Sequence, residues 1–160
     1  MVWCCHSSHR WAPMHDERAT LDWRTLGVGA ELPAMVVAVT PTRIVAGAIA
    51  SRDFMPVHHD RDYANQQGAP DIFMNILSDT GYCSRFLTDW AGPDAMITRL
   101  AIRLGVPVFP GHTLTFTGSV TALRPDGDVG VVDVELCAVN DLGEHVSGTA
   151  TLTLPLGAAP

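Results

Sequence analysis

The chain has 160 residues, 47% of them apolar and 17% charged, which is enough for one domain with a real core and rules out a disordered polymer. Ten Lys and Arg against seventeen Asp and Glu leave a formal charge of −7, which argues against a broad nucleic-acid face. No run of about 18 apolar residues occurs, so no membrane-spanning helix is expected.

Residues 1–29 carry no hydrophobic period and are expected to form a disordered extension ahead of one domain at 30–156. Cys4, Cys5, His6 and His9 have metal-ligand chemistry, but no second ligand pair closes a zinc site, so no metal is expected. Cys83 and Cys137 fall on helix and strand patterns and read as small apolar fillers. A reduced, cytoplasmic setting is the simpler inference.

Ala34 to Val39 reads as a first strand. Thr40 and Pro41 then form an N-cap with Pro at the first helical position, and the spacing of Ile44, Val45, Ala48 and Ile49 predicts a helix over 41–51. That helix delivers Asp53 to the stretch Asp53-Phe54-Met55-Pro56-Val57-His58-His59-Asp60. Pro56 fixes its own φ and biases Met55 away from helix, so a stiff extended turn is expected. Asp53 and His58 should reach towards one point, where a carboxylate and an imidazole can hold and deprotonate a water. His59 and Asp60 are neighbours on a turn and point apart, which argues against a metal; Asp60 reads as the cap of a short helix through Ala64.

Gly68-Ala69-Pro70 breaks that helix, and the longest helical pattern is expected to open at Asp71 as its cap. Ile72, Phe73, Ile76, Leu77, Cys83, Phe86, Leu87 and Trp90 recur at steps of three and four until Gly92-Pro93, on more than one stripe, as in a helix buried on several sides. Strands follow. Met96, Thr98, Leu100, Ile102 and Leu104 alternate onto one face; His112–Leu123, Val129–Val139 and His145–Leu154 are rich in β-formers, with turns at Pro125-Asp126-Gly127 and Asn140–Gly143. One buried helix with a strand before it and four after it suggests an α+β fold in which a sheet wraps a helix.

Asp53–Asp60 resembles the motif D-x-N-P-x-H-x-D of the MaoC-like enoyl-CoA hydratases, and Gly105-Val106-Pro107-Val108-Phe109-Pro110-Gly111-His112-Thr113-Leu114 resembles their stretch P-V-x-x-G-D-x-L. The resemblance covers about residues 31 to 155 and implies the hot dog fold: a long central helix wrapped by an antiparallel sheet of about five strands. Arg52-Asp53-Phe54, Val57–Asp62, Asp71-Ile72-Phe73, Asn75-Ile76-Leu77 and Thr88–Pro93 are similar to the small MaoC-like subunits of steroid side-chain enoyl-CoA hydratases in cholesterol-degrading bacteria.

That resemblance implies a heteromeric enzyme that adds water across the 2,3 double bond of a steroid enoyl-CoA with a three-carbon side chain. It implies an α2β2 assembly with a second MaoC-like subunit, often carrying a zinc-ribbon/OB domain, and docking of a thiolase-like aldolase. No cofactor is implied, since the substrate brings the CoA. Asp53 and His58 would be catalytic; Asp71, Ile72, Phe73 and Ile76 would bind substrate, with the N–H groups near Ile72 and Phe73 stabilising the thioester oxygen at the helix start.

Three positions depart from the family. Met55 stands for Asn, Asp71-Ile72-Phe73-Met74 replaces a His-Gly at the helix start, and His112 stands for Asp. A homodimeric medium-chain (R)-specific hydratase, a non-catalytic partner subunit and a hot dog thioesterase stay open as alternatives, with the Asp-x4-His turn favouring a working hydratase.

Overall fold

The computed structural model describes residues 19–156. The metal reading of Cys4, Cys5, His6 and His9 lies outside the described residues. Five strands form one antiparallel sheet in the order β1-β3-β4-β5-β2: β1 Met35–Ala38, β2 Met96–Leu104, β3 Thr113–Asp126, β4 Val129–Asn140 and β5 Gly143–Pro155. Three helices accompany it: α1 Pro41–Ala50, α2 Arg61–Gln66 and α3 Ile76–Ala91. No described helix is long and apolar enough to cross a membrane.

The sheet wraps α3. Cys83, Phe86, Leu87 and Ala91 of that helix are buried with Phe116, Val120, Val132, Val134, Leu152 and Leu154 from the strands. The Phe116 ring sits 6.0 Å from that of Phe86 and 6.2 Å from that of Tyr82. Gly118 makes the close approach possible, because a Cβ there would stand 2.8 Å from the Glu135 carbonyl and 3.2 Å from the Phe86 ring. Leu87 has no exposed surface. Leu87→Ala should therefore cost about 2–5 kcal/mol, read as a lower urea midpoint with unchanged m-value.

α1 and α2 form as their caps dictate. Thr40 accepts from the Arg43 N–H with Pro41 at the first turn, and Asp60 accepts from the Tyr63 N–H. α3 begins four residues later than its apolar spacing predicts: Asn75 is the cap, and Asp71–Met74 lie outside the helix. Only one face of α3 is buried at its start, since Ile76 and Leu77 are each half exposed. The alternation of β2 is also broken. A bulge between Ile97 and Arg99 shifts its register against β5, so Ile97, Leu100, Ile102 and Leu104 turn inward while Met96 and Thr98 face out.

Residues 19–29, expected to belong to a disordered extension, pack on the domain. Leu21, Trp23 and Leu26 lie against the core, and the Leu21 N–H donates to the Ala91 carbonyl over 3.0 Å. Trp23 lies flat over Gly130, where a Cβ would fall 2.2 Å from the indole, and its Nε1–H donates to the Val131 carbonyl.

Candidate active site

Asp53 and His58 converge. α1 ends in Ser51, Arg52 takes the left-handed region at φ 58°, and the Asp53 N–H returns to the Ala48 carbonyl at 2.9 Å. This reversal points the Asp53 side chain back across the helix end. Pro56–His58 then form one 3-10 turn rather than the extended turn expected, because the His58 and His59 N–H groups bond back to Met55 and Pro56. The turn brings His58 Nε2 to 3.4 Å from Asp53 Oδ2.

The tautomer follows from the partners. His58 Nδ1 lies 2.7 Å from the Phe73 carbonyl oxygen, which can only accept, so Nδ1 carries the hydrogen. In the neutral ring Nε2 is then bare and faces the carboxylate. Two acceptors at this spacing present the two hydrogen-bonding sites that one water molecule fills with its two O–H groups. The Phe73 ring stands edge-on to the imidazole at 5.0 Å and to Phe109 at 6.4 Å, giving the site an aromatic wall.

Asn75 completes the site. Its Nδ2 donates to Asp53 Oδ2 at 3.0 Å and to Ser51 Oγ at 2.9 Å, while its Oδ1 caps α3 by accepting from the Ser78 N–H. Reversing the amide would set its oxygen against the carboxylate, so the orientation is fixed. The Asn75 hydrogen bond holds the Asp53 carboxyl below the usual range; burial opposes this, and the Met55 N–H and the His58 ring add to it.

No protein-family model matches the chain. It is 49% identical over 127 residues to the 3-oxo-4,17-pregnadiene-20-carboxyl-CoA hydratase beta subunit of Mycobacterium tuberculosis, covering 79% of this chain and 95% of that one. The chain belongs to the MaoC-like hydratases. A chain of the ChsH1–ChsH2 complex from Mycobacterium tuberculosis superposes with a TM-score of 0.75 at 49% identity, covering 80% of this chain and 98% of that one. The (R)-hydratase from A. caviae shares the fold, with a TM-score of 0.74 at 24% identity over 82% of this chain and 99% of that one.

Within this MaoC-like domain the substrate-binding set scatters. Asp71 does not cap the long helix; it accepts from Arg61 Nε and from the Ile72 N–H, each at 2.7 Å, and the guanidinium holds its carboxyl below the usual range. Ile72 is buried in the core, Phe73 walls the imidazole, and Ile76 is half exposed beside the site. The expected oxyanion donors at Ile72 and Phe73 are overturned as well. Their N–H groups are taken by Asp71 Oδ1 and by the Val57 carbonyl. Among the first N–H groups of α3, which have no intrahelical backbone acceptor, that of Ser78 goes to Asn75 Oδ1, and those of Ile76 and Leu77 occupy the first two helical positions.

Asn75 carries part of the resemblance in sequence but was given no role at the site there. Its signal was present: Asn directly before an apolar helical run is a cap signature. Asp71 carries a similar signature, and Ile72 and Phe73 continue the helical spacing backwards past the true start.

Proposed function

We propose that this chain hydrates the 2,3 double bond of a steroid side-chain enoyl-CoA thioester as the catalytic member of a heteromeric MaoC-like complex. The observation that carries the reading is His58 Nε2 facing the Asp53 carboxylate at 3.4 Å while Nδ1 is held by the Phe73 carbonyl. A water donating to both acceptors turns an oxygen lone pair outward to the β-carbon. As the C–O bond forms, His58 takes a water proton on Nε2, and Asp53 stabilises the resulting imidazolium. His58 then delivers that proton to the α-carbon, so one water is added and the residues return to their starting states.

Negative charge gathers on the thioester oxygen between these steps. The N–H groups of Ile76 and Leu77, at the positive end of α3, are the donors we assign to it. Addition of water moves no electrons between molecules, so no redox cofactor is required; the CoA arrives with the substrate.

A second MaoC-like subunit, in an α2β2 assembly, is the partner we infer. Ile49, Phe54 and Met55 lie within four residues of Asp53, Ile76 and Leu77 directly follow Asn75, and all five are 46–64% exposed, an apolar rim that a partner would cover. A zinc-ribbon/OB domain on that partner, docking of a thiolase-like aldolase and a cytoplasmic setting extend the reading. The unpaired thiols of Cys83 and Cys137 suit a reducing compartment.

The test is co-expression with a neighbouring MaoC-like chain, native mass measurement, and turnover of a steroid enoyl-CoA with a three-carbon side chain against crotonyl-CoA. A mixed assembly that prefers the steroid ester is expected. A homodimer that prefers crotonyl-CoA would replace this reading with the medium-chain one.

A further inference from the structure

A second acid–imidazole pair lies under the site. His145, at the start of β5, has Nε2 2.9 Å from Asp79 Oδ1 on α3 and Nδ1 2.6 Å from the Val106 carbonyl. Both side chains are buried, with 3% and 0% of their surface exposed. The Val106 carbonyl can only accept, so Nδ1 carries a hydrogen, and the contact between Nε2 and Oδ1 then requires one more proton between them.

Burial alone would lower the His145 pKa; the hydrogen bond and charge of Asp79, with the Val106 carbonyl, outweigh it and leave it raised, favouring an imidazolium. Cys83, one turn beyond Asp79, has its thiol pushed up to about 12 by burial and then by the Asp79 charge, so it stays protonated. The Glu144 carboxylate is directed to Cys137 Sγ on β4.

The pair belongs to a circuit of contacts that ends at the dyad. The Gly105 and Val106 N–H groups donate to the His145 and Glu144 carbonyls, so the β2–β3 loop is pinned to β5. Two residues on, the Val108 carbonyl accepts the Met74 N–H at 3.1 Å, and the neighbouring Phe73 carbonyl takes the His58 Nδ1–H. From the other end, the Asp79 N–H bonds the carbonyl of Asn75, whose side chain holds Asp53. A buried ion pair is costly to desolvate, and apolar side chains of the same size usually serve stability as well or better. What this pair supplies is geometry.

We infer that Asp79 and His145 are positioning residues for His58, holding the β2–β3 loop against the start of α3 so that the Phe73 carbonyl fixes the imidazole's tautomer and aim. This rests on the hydratase reading for its kinetic consequence, but its structural consequence is independent of that reading. A misplacement of about 1 Å at a catalytic group can cost about a hundredfold in rate.

The test uses the assembled complex. Asp79→Leu and His145→Leu break the circuit. Asp79→Asn keeps it, because the amide can donate to the bare Nε2 of a neutral His145 whose Nδ1–H still serves Val106. The leucine variants should lose roughly tenfold or more in kcat with KM changed by less than about twofold, while Asp79→Asn stays near wild type.

Nitrogen NMR of His58 without substrate should show a mixed tautomer in the leucine variants and the Nδ1–H form in wild type and Asp79→Asn. If the leucine variants do not fold, His145→Asn, too short to bridge both partners, replaces them. Folded circuit-breaking variants with wild-type kcat and an unchanged His58 tautomer would overturn the inference, as would an Asp79→Asn as impaired as Asp79→Leu. An inactive wild type would instead sink the hydratase reading and leave the tautomer result standing.

Discussion

His58→Ala and Asp53→Asn are each expected to lower kcat by about 10²–10⁴-fold while the subunits still assemble. The two losses have different origins. His58→Ala removes the imidazole assigned to take a proton and return it, and it frees the Phe73 carbonyl. Asp53→Asn keeps an oxygen for the Asn75 amide but removes the charge that stabilises the imidazolium. The double variant should be scarcely worse than the worse single one, because the two groups act on one water. Steady-state turnover with native mass measurement checks this. Normal turnover in either single variant would remove this chain from the catalytic role and make it a supporting subunit.

Asn75→Asp carries the second large effect. Asp caps helices as well as Asn does, so α3 should keep its start and the melting temperature should fall little. At the site, however, the donor to Asp53 Oδ2 becomes a second carboxylate 3 Å away, with Asn75 only 2% exposed. Like charges at that distance cannot both ionise readily, and one carboxyl pKa must rise. Activity should fall by about a hundredfold at neutral pH, and what remains should show an acidic limb moved upward.

The sign follows from Asp53. Its folded pKa is depressed, so in the wild type the ionised form persists as pH falls through the ordinary carboxylate range, and that limb lies below it. Asn75→Ala separates cap from electrostatics in the opposite sense: it should lose about 1 kcal/mol of stability from the cap and shift the limb upward without a new charge. A pH–rate profile beside a thermal melt distinguishes the three proteins. An Asn75→Asp variant with the wild-type acidic limb would show that Asn75 does not act on Asp53.

Much of the fold was legible because local rules agreed with the tertiary answer. Thr40-Pro41 and Asp60 are caps where the residue types say caps belong, and the Asn140–Gly143 turn closes a hairpin whose last pair is Asn140 with Gly143. The errors came where two local signals competed. Asp71 and Asn75 are both residue types that cap helices, and the apolar run through Ile72 and Phe73 favoured the earlier one. The chain stays out of helix there because its polar groups find other partners: the Phe73 carbonyl goes to His58, the Met74 N–H to Val108, and the Phe73 N–H to Val57. None of those partners is near in sequence. Leu100, Ile102 and Leu104 share the inward face as their alternation indicated, but Met96 and Thr98 were misplaced for a related reason, since a bulge depends on the register against β5 and leaves alternation intact on either side of it.

The linear chain by itself determined that Asp53 and His58 meet, because they lie five positions apart on one proline-containing turn and local geometry is enough to bring them together. Tertiary structure alone decided how they are armed. The tautomer of His58 is set from Phe73, the charge of Asp53 from Asn75, and the loop behind both from Asp79 and His145, sixty-six residues apart. Hydrogen bonds between side chains that distant in sequence exist only after the sheet has closed around α3, and no periodicity or spacing encodes them.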